Sequence, residues 1–382
     1  MKMKKNFILY LAAGLGLAAC SPKGQTIEVS NTLNVERNAE LVAVQIDTNS
    51  PHILRDAQGK EVAYQVKDNG IIFLANVPAN GTAAYTWTEG TPAEVKPLTS
   101  AFFLGNRRKD DFCWENDKAA YRMYGPALLK ENPSSGVDLW LKHSSDLTAD
   151  AMYTQEEKEG KPYHIDYGLG IDSYKVGHAA GCGGLAIVSN GEIWPGGPFA
   201  RYEILQEGPL QCIFKLSYDS VQIGDKKLTE EITITVNAGA NMNKAEVVLN
   251  GDAIDDLRLG GAVFLHDSVQ HLEVNAHNAF FTYCESANSD KGIYNVHQQK
   301  GIDATQLDFG RNYCAVYVPG VDEFAKYGDT EAATRPYKVG ETLTYYFGGA
   351  WSKRDYATDE DWHRAIGQDV FCIESPLTVV VK

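Results

Sequence analysis

Several signatures of well-known catalytic sites are missing from this sequence. It contains no G-x-S-x-G motif, no H-E-x-x-H motif, no Walker loop and no Rossmann fingerprint. No C-x-x-C pair is present either, so a zinc site built on cysteine pairs is not expected. Any chemistry must therefore come from a less familiar arrangement of side chains.

Positive charge is scarce. The chain has 35 Lys and Arg residues against 50 Asp and Glu residues, which gives a formal net charge of -15. Nucleic-acid binding requires clustered basic side chains, so this class of partner is excluded. An acidic substrate remains compatible with the composition, because a few inward-facing arginines can dominate the local field.

Long apolar runs are also absent, except at the N-terminus. Three lysines precede an apolar run, Phe7–Leu17, which is too short to span a bilayer. The following Leu-Ala-Ala-Cys resembles the lipobox of bacterial lipoproteins, so we expect residues 1–19 to be a signal peptide and Cys20 to carry the lipid anchor. Removal of the three lysines would move the net charge from -15 to -18. Ser21 after the cysteine indicates an outer-membrane lipoprotein that faces the periplasm, and no transmembrane run follows.

The cysteines beyond Cys20 do not define a disulfide pattern. Six remain, with wide and irregular spacing: Cys113, Cys182, Cys212, Cys284, Cys314 and Cys372. An exported compartment permits disulfides, and six cysteines allow 15 pairings. Buried free thiols and one or two bridges are equally compatible with the sequence.

Short alternating runs predict an all-β protein. From Gln25 to about Gly90, strand-like segments of four to eight residues are separated by turn signals, which indicates a small antiparallel sandwich. The segment Thr91–Ser100, with two prolines, reads as a linker. The remainder has longer strand-like runs and predicts a large, mutarotase-like β-sandwich. The expected domains are residues 20–95 and 96–382, after the signal peptide 1–19.

Two short segments have helical character. Asp359–Phe371 follows Thr-Asp-Glu, a possible N-cap, and the second candidate is Glu323–Tyr327. The sequence contains no internal repeat at a fixed period.

Three segments interrupt the β pattern with aromatic residues, charge and glycine: 106–126, 163–184 and 347–355. Aromatic faces stack on sugar rings, while arginine and carboxylate groups bind hydroxyls and acids. Trp114 and Trp351 are the predicted aromatic contacts of a sugar.

In the first segment, Arg122 and Tyr124 alternate along a predicted strand, so they share one face. This pair could hold a carboxylate and move a proton. It could equally be an arginine–acid pair and a tyrosine at the rim of the core.

In the second segment, His164 and Asp166 alternate in the same way. A carboxylate that orients an imidazole is typical of a general base. Lys175, in the same segment, is a second candidate, and glycines around His178 would allow close approach of a ligand. The histidines at 266, 271, 277 and 297 lie on predicted strands or loops without informative spacing, so neither a metal nor a cofactor is expected.

The segments "DDFCWENDKAAYRMYGPAL", "YHIDYGLGIDSYKVG", "GCGGLAI", "RYEIL" and "GGAWSK" occur in this order. With them the chain resembles a Bacteroidetes lipoprotein family catalogued as domain of unknown function 4861, from about Thr26 to the C-terminus. The family usually has an acid where this chain has Leu169, so that position receives no role. The resemblance implies a part in polysaccharide utilisation, beside enzymes that process uronic-acid glycans. A related protein of an ulvan system is an oligosaccharide dehydratase.

This implied reaction removes water from a terminal uronate and leaves a 4,5-unsaturated sugar. The residues suit it: Arg122 and Arg201 would bind the carboxylate, His164 would remove the C5 proton, and Tyr124 would protonate the leaving oxygen. Asp166 would orient the imidazole. The expected partner is thus a uronic-acid oligosaccharide.

Two other classes remain open. A glycoside hydrolase or a sugar epimerase on the same fold is the second, and Glu115 with Asp172 could supply the carboxylate pair of a hydrolase. A glycan-binding lipoprotein without catalysis is the third. Recovery of a uronic oligosaccharide unchanged or lighter by one water distinguishes elimination from binding.

Overall fold

A computed structural model describes residues 24–105, 107–130, 135–176, 180–266, 271–288 and 292–382. Cys20 and His178 lie outside these residues. The described part is mainly β, as the alternating sequence predicts, and its sheets are antiparallel. Burial alternates along the strands: in Lys226–Asn237 every second side chain is buried, because successive residues point to opposite faces of the sheet.

The N-terminal part forms two small sheets that enclose an apolar core. Its strands are β1 (Gln25–Ser30), β2 (Arg37–Gln45), β3 (His52–Arg55), β4 (Tyr64–Lys67), β5 (Gly70–Val77) and β6 (Thr82–Glu89). One sheet has the order β2-β5-β4, and β1, β6 and β3 belong to the other. This arrangement confirms the predicted N-terminal sandwich.

A third sheet carries most of the first aromatic and charged segment, 106–126. It is built from β7 (Thr99–Phe103), β8 (Phe112–Asn116), β9 (Ala120–Met123), β10 (Asp138–Lys142) and β11 (Gly170–Ile171), in the order β11-β10-β9-β8-β7. All residues of β8, β9 and β10 are buried. The helix α1 (Ala149–Glu159) connects β10 to the loop that leads into β11.

The rest of the chain forms the large sandwich. A five-stranded sheet has the order β13-β12-β18-β23-β22, and an eight-stranded sheet has the order β14-β15-β16-β17-β24-β21-β20-β19. Their bounds are β12 (Cys182–Ser189), β13 (Glu192–Ile193), β14 (Arg201–Gln206), β15 (Gln211–Ile223), β16 (Lys226–Asn237), β17 (Asn243–Gly251), β18 (Leu257–Phe264), β19 (His271–Asn275), β20 (Phe280–Ser286), β21 (Arg311–Tyr317), β22 (Glu323–Tyr327), β23 (Thr330–Pro336) and β24 (Thr342–Trp351). One continuous apolar core lies between these sheets.

Two further helices pack on the large sandwich. They are α2 (Gly292–Gln299) and α3 (Asp359–Glu374), and short 3-10 turns occupy Pro126–Leu128 and Ala304–Gln306. The predicted helix near Asp359 is confirmed, and Thr358 caps it by accepting a hydrogen bond from the Asp361 amide. No helix in the described ranges is both long and apolar enough to cross a membrane.

The last strand, β25 (Thr378–Val381), returns to the N-terminal sandwich. It pairs with β1, where Ile27 lies opposite Val381. The C-terminal strand therefore completes the small sandwich, although the sequence placed it with the large domain.

Other details differ from the sequence predictions. Glu323–Tyr327 is not a helix but the edge strand β22, whose pairing with β23 supplies the hydrogen bonds of its backbone. The helices α1 and α2 were not predicted. All six described cysteines are free, and five of them are buried, so the free-thiol alternative holds in this structure.

Candidate functional site

A buried cluster of charges surrounds Arg122. Its strand β9 pairs with β10 so that Arg122 lies opposite Asp138, and the Arg122 Nε and Nη2 donate to Asp138 Oδ2 at 2.9 and 2.5 Å. Nη2 also donates to Asp172 Oδ2 at 3.0 Å, and Nη1 lies 3.4 Å from Asp111 Oδ2. Three carboxylates thus enclose one guanidinium that is 4% exposed.

Aromatic residues complete the cluster. The Arg122 guanidinium carbon lies 5.0 Å from the centre of the Trp140 ring, and the hydroxyls of Tyr153, Tyr163 and Tyr124 lie within 3.4 Å of its nitrogens. Burial raises the pKa of the Tyr124 phenol well above its usual value, so this hydroxyl stays protonated. All donors of Arg122 are occupied, and the arginine predicted to bind a substrate carboxylate is instead an internal part of the fold.

The cluster has more negative than positive charge. Burial raises the pKa of Asp111, although Arg122 and Arg108 oppose the rise. The second carboxylate oxygens of Asp111 and Asp138 have no hydrogen-bond partner among the described residues. Removal of the guanidinium would leave these buried acids without their main compensating charge.

His164 lies at the edge of this cluster. Its side chain is 38% exposed, and Nδ1 lies 2.9 Å from the Asp172 carbonyl oxygen and 3.5 Å from the Asp172 carboxylate. The Asp172 amide donates to the Tyr163 carbonyl, which holds the loop closed. Asp172 therefore connects His164 to Arg122, and Tyr124 meets the same arginine, so the three predicted residues do come together.

Asp166 does not orient His164. Its carboxylate oxygen Oδ2 lies 2.6 Å from Nε2 of His143, the residue that follows β10. The other oxygen accepts the Gly168 amide at 2.8 Å, and the His143 ring lies 4.7 Å from the Trp351 ring. The predicted histidine–carboxylate pair exists, but its histidine is His143, since the β10–β11 pairing brings this residue beside the loop.

Two partly exposed histidines are therefore associated with one loop: His164 belongs to it, and His143 contacts its Asp166. The side chain of His143 is 36% exposed, close to the value for His164. Within the described ranges, His143 Nδ1 has no hydrogen-bond partner. His143 is thus held through Nε2, and His164 is held through Nδ1 by the backbone of its own loop. Fixed imidazoles of this kind are suited to proton transfer.

A cation, Arg108, is linked to His164 through Tyr163. Arg108 Nε donates to the Tyr163 hydroxyl at 3.2 Å, and the Tyr163 ring lies 4.6 Å from the His164 ring. The Arg108 side chain is 32% exposed, and its terminal nitrogens make no hydrogen bond to another described residue. This arginine, unlike Arg122, can present its planar fork to an incoming carboxylate.

The remaining predicted residues have structural or surface positions. Trp114 is fully buried and stacks on Tyr121, so its ring cannot contact a sugar in this arrangement. Glu115 is buried and bonds Lys142 at 2.7 Å as well as the amide of Ala149 at the start of α1. Because Glu115 and Asp172 are both engaged in the interior, they do not form the open carboxylate pair of a hydrolase.

Three further predicted residues lie outside the charge cluster around Arg122. Trp351 is 3% exposed, and its ring packs against the ring of His143. Arg201 is paired with Asp219 at the surface, at 2.5 and 2.7 Å, and does not contact the cluster. Lys175 is exposed, and its carbonyl accepts from Nε2 of His266 at 2.5 Å.

Two glycines of the segment 163–184 are required by close packing. Gly170 has a φ of +142°, and a Cβ there would lie 1.9 Å from the Leu141 carbonyl oxygen. At Gly183 a Cβ would lie 2.3 Å from the Cβ of Phe347. These contacts require glycine for close packing of backbone and core, where the sequence suggested close approach of a ligand.

His143 and Arg108 were missed by the sequence analysis. His143 ends an apolar strand and Arg108 belongs to a run of mixed charge, and neither has a local motif. His143 could have been found only by predicting the pairing of β10 with β11, which brings it beside Asp166. The described residues contain no group of three or more His, Cys, Asp or Glu side chains that could hold a metal ion.

Comparisons with known proteins identify one relative in sequence and two solved structures that resemble this chain. The "Uncharacterized protein P7" of Formosa agariphila is 28% identical over 286 residues, which cover 72% of this chain and 68% of that protein. A solved glycosyl hydrolase family 38 protein from Enterococcus faecalis has a TM-score of 0.56 and 9% identity, over 94% of this chain and 47% of that one. An α-mannosidase from the same species has a TM-score of 0.49, 9% identity and coverage of 94% and 46%. The chain spans about half the length of these two structures, and the likeness to the first shows a shared fold.

A family model also matches most of the chain. The model described as Domain of unknown function (DUF4861) matches residues 29–379. The chain therefore belongs to this family.

Proposed function

We propose that this member of the DUF4861 family acts on uronic-acid-containing oligosaccharides and eliminates water from a terminal uronate. The observation that carries the proposal is that one loop holds two partly exposed histidines: it contains His164, and its Asp166 pairs with His143. Arg108 is linked to His164 through Tyr163. The fold shared with part of a glycosyl hydrolase is compatible with a carbohydrate substrate. The proposal includes a lipid anchor on Cys20 and a periplasm-facing position at the outer membrane.

His164 is the proposed base. With Nδ1–H donated to the Asp172 carbonyl, the lone pair of the neutral ring is on Nε2. This nitrogen would remove the C5 proton of the uronate. The C5–H electron pair then forms the C4–C5 double bond as the C4–O bond breaks.

His143 is the proposed acid. Asp166 accepts from Nε2 and would stabilise the imidazolium, while Nδ1 would give its proton to the departing oxygen, which leaves as water. This assignment replaces Tyr124 in the acid role, because the Tyr124 hydroxyl donates to Asp138 inside the buried cluster. Tyr124 stays the alternative acid.

Arg108 is the proposed carboxylate anchor. The C5 proton of a uronate is a very weak acid, and neutralising the adjacent carboxylate makes its removal easier. Arg122 would act one step further away by holding Asp172, whose carbonyl positions His164. Arg122 is therefore a positioning residue in this proposal.

The test is an assay on an oligosaccharide that ends in a uronic acid. The wild-type product should be lighter by one water and should absorb at the unsaturated-uronate band. We expect His164→Ala and His143→Ala each to lower kcat by about 10²–10⁴-fold. Arg108→Met should mainly raise KM.

A matched control is His277→Ala, since His277 is exposed and lies outside this loop. It should leave the rate unchanged. Full absorbance from the His164→Ala protein would reject the base assignment. A substrate recovered unchanged from the wild type would indicate a binding protein, and fragments that had gained water would indicate a hydrolase.

A further inference from the structure

A separate cavity lies away from the histidines. A cavity of about 410 Å³ lies where the N-terminal sandwich, the large sandwich and α3 meet. Its walls are residues 36–41 at the start of β2, residues 237–242 between β16 and β17, and the C-terminal half of α3. This volume is within the range of about 300–1,000 Å³ that is typical of small-molecule sites.

The charges around the cavity disfavour an anion. Arg37 is 2% exposed and forms two bonds of 2.5 Å to Glu40, and it also donates to the carbonyls of Cys372 and Ser375. Lys244, the other cation of the walls, lies 2.9 Å from Glu246. Both cations are thus paired with carboxylates, and Asp369 adds a further acidic group.

The polar groups instead suit hydroxyls. The Tyr356 hydroxyl donates to Asn241 Oδ1 at 2.8 Å, and Asn241 Nδ2 donates to Asp369 Oδ2 at 2.8 Å. This chain of bonds fixes the amide and the carboxyl, and Asp369 Oδ1 has no hydrogen-bond partner among the described residues. Burial raises the pKa of Asp369 to about 6, so the group can either accept from a hydroxyl or donate to it.

An aromatic wall completes the site. Tyr346 lines the cavity and is packed against Tyr317, with 5.4 Å between the ring centres and an angle of 26°. A supported aromatic ring beside a fixed carboxyl and amide is the combination that binds the apolar face and the hydroxyls of a sugar.

We propose that this cavity binds a neutral saccharide unit of one or two rings, at a site separate from the elimination site. The ligand would contact both sandwiches and α3 at once. Binding is therefore expected to stabilise the joint between the two sandwiches.

The test titrates the full chain with cellobiose, maltose, xylobiose and mannobiose by calorimetry, with glucuronic acid as the anionic probe. We expect at least one neutral disaccharide to bind and glucuronic acid to be excluded from the cavity. Tyr346→Ala and Asp369→Ala should each weaken the neutral ligand at least tenfold. Circular dichroism verifies that both variants are folded.

A second readout uses Cys372, which is half-buried and lines the cavity. Burial raises the pKa of this thiol to about 11, so its alkylation by iodoacetamide is followed at alkaline pH by peptide mass spectrometry. A bound disaccharide should slow the alkylation. Unchanged alkylation, or binding that survives both substitutions, would overturn the proposal, as would the failure of all four disaccharides to bind.

The outcome is independent of the proposed reaction. His164→Ala should abolish elimination and leave disaccharide binding intact. Tyr346→Ala should weaken disaccharide binding and leave elimination intact, since Tyr346 does not belong to the loop that contains His164. A loss of both properties in one variant would show that the two sites are not separate.

Discussion

Replacement of Arg122 by methionine should destabilise the protein strongly. The side chain of Arg122 is 5% exposed and lies within 3.4 Å of three carboxylates, of which Asp138 and Asp172 are 1% and 2% exposed. Methionine retains much of the apolar volume but removes the charge. Removing one partner of a buried ion pair costs about 3–5 kcal/mol, because the other charges stay buried without compensation. We expect a loss of that size in the free energy of unfolding.

The loss of stability in the Arg122→Met variant should increase with pH. Burial already raises the pKa of Asp111, and Arg122 is the largest of the charges that oppose this rise. Without Arg122 the pKa of this carboxyl in the folded protein rises further above its value in the unfolded chain. The penalty is therefore absent below the unfolded pKa, grows as the pH rises from the unfolded pKa to the folded pKa, and is complete above the folded pKa. The variant should be closer to wild type at about pH 5 than at about pH 8.

Urea denaturation followed by tryptophan fluorescence measures this effect, and Trp140 beside the guanidinium is a local reporter. The control is Arg201→Met, since Arg201 and Asp219 are 63% and 58% exposed. The free energy of unfolding of this control should fall by less than about 1 kcal/mol. Equal effects of the two substitutions, or a loss at Arg122 that grows toward acid pH, would refute the account of the buried cluster.

Two further predictions concern stability. Burial raises the pKa of Glu230 to about 8, so folding of the wild type loses stability as the pH rises from the unfolded value toward about 8. Glu230→Gln removes this penalty of up to about 5 kcal/mol and should gain stability over wild type at about pH 9 but little at about pH 5, as measured by urea denaturation. Equal gains at both pH values would contradict it. Thr358→Ala should cost about 0.5–2 kcal/mol by removing the cap of α3, and Thr358→Ser, which retains the hydroxyl, should restore most of the loss. An Ala variant with wild-type stability would show that the cap contributes nothing.

Local patterns were sufficient for much of the fold. The alternation in segments such as Lys226–Asn237 sets which face of each strand is buried, since side chains of a strand point to opposite sides. The cap and the acidic first turn of α3 also act within a few residues. One exception, Glu323–Tyr327, forms β22 because β23 offers a hydrogen-bonding edge that no local pattern reveals.

For the candidate site, the sequence by itself determined which residue types are present and where they concentrate: a histidine, an aspartate and tyrosines in one glycine-bounded loop, and an arginine and a tyrosine on one strand face. Only the tertiary structure decided their partners. Asp166 meets His143, 23 residues earlier, and Arg122 meets Asp172, 50 residues later, so their pairing depends on strand register. The burial of Arg122 likewise depends on the helix and strands that cover it. Because it is buried, Arg122 is an internal group and not a ligand-binding one. The C-terminal strand joins β1 for the same reason: hydrogen bonds between distant segments are selected by the packing of the whole chain and leave no local trace.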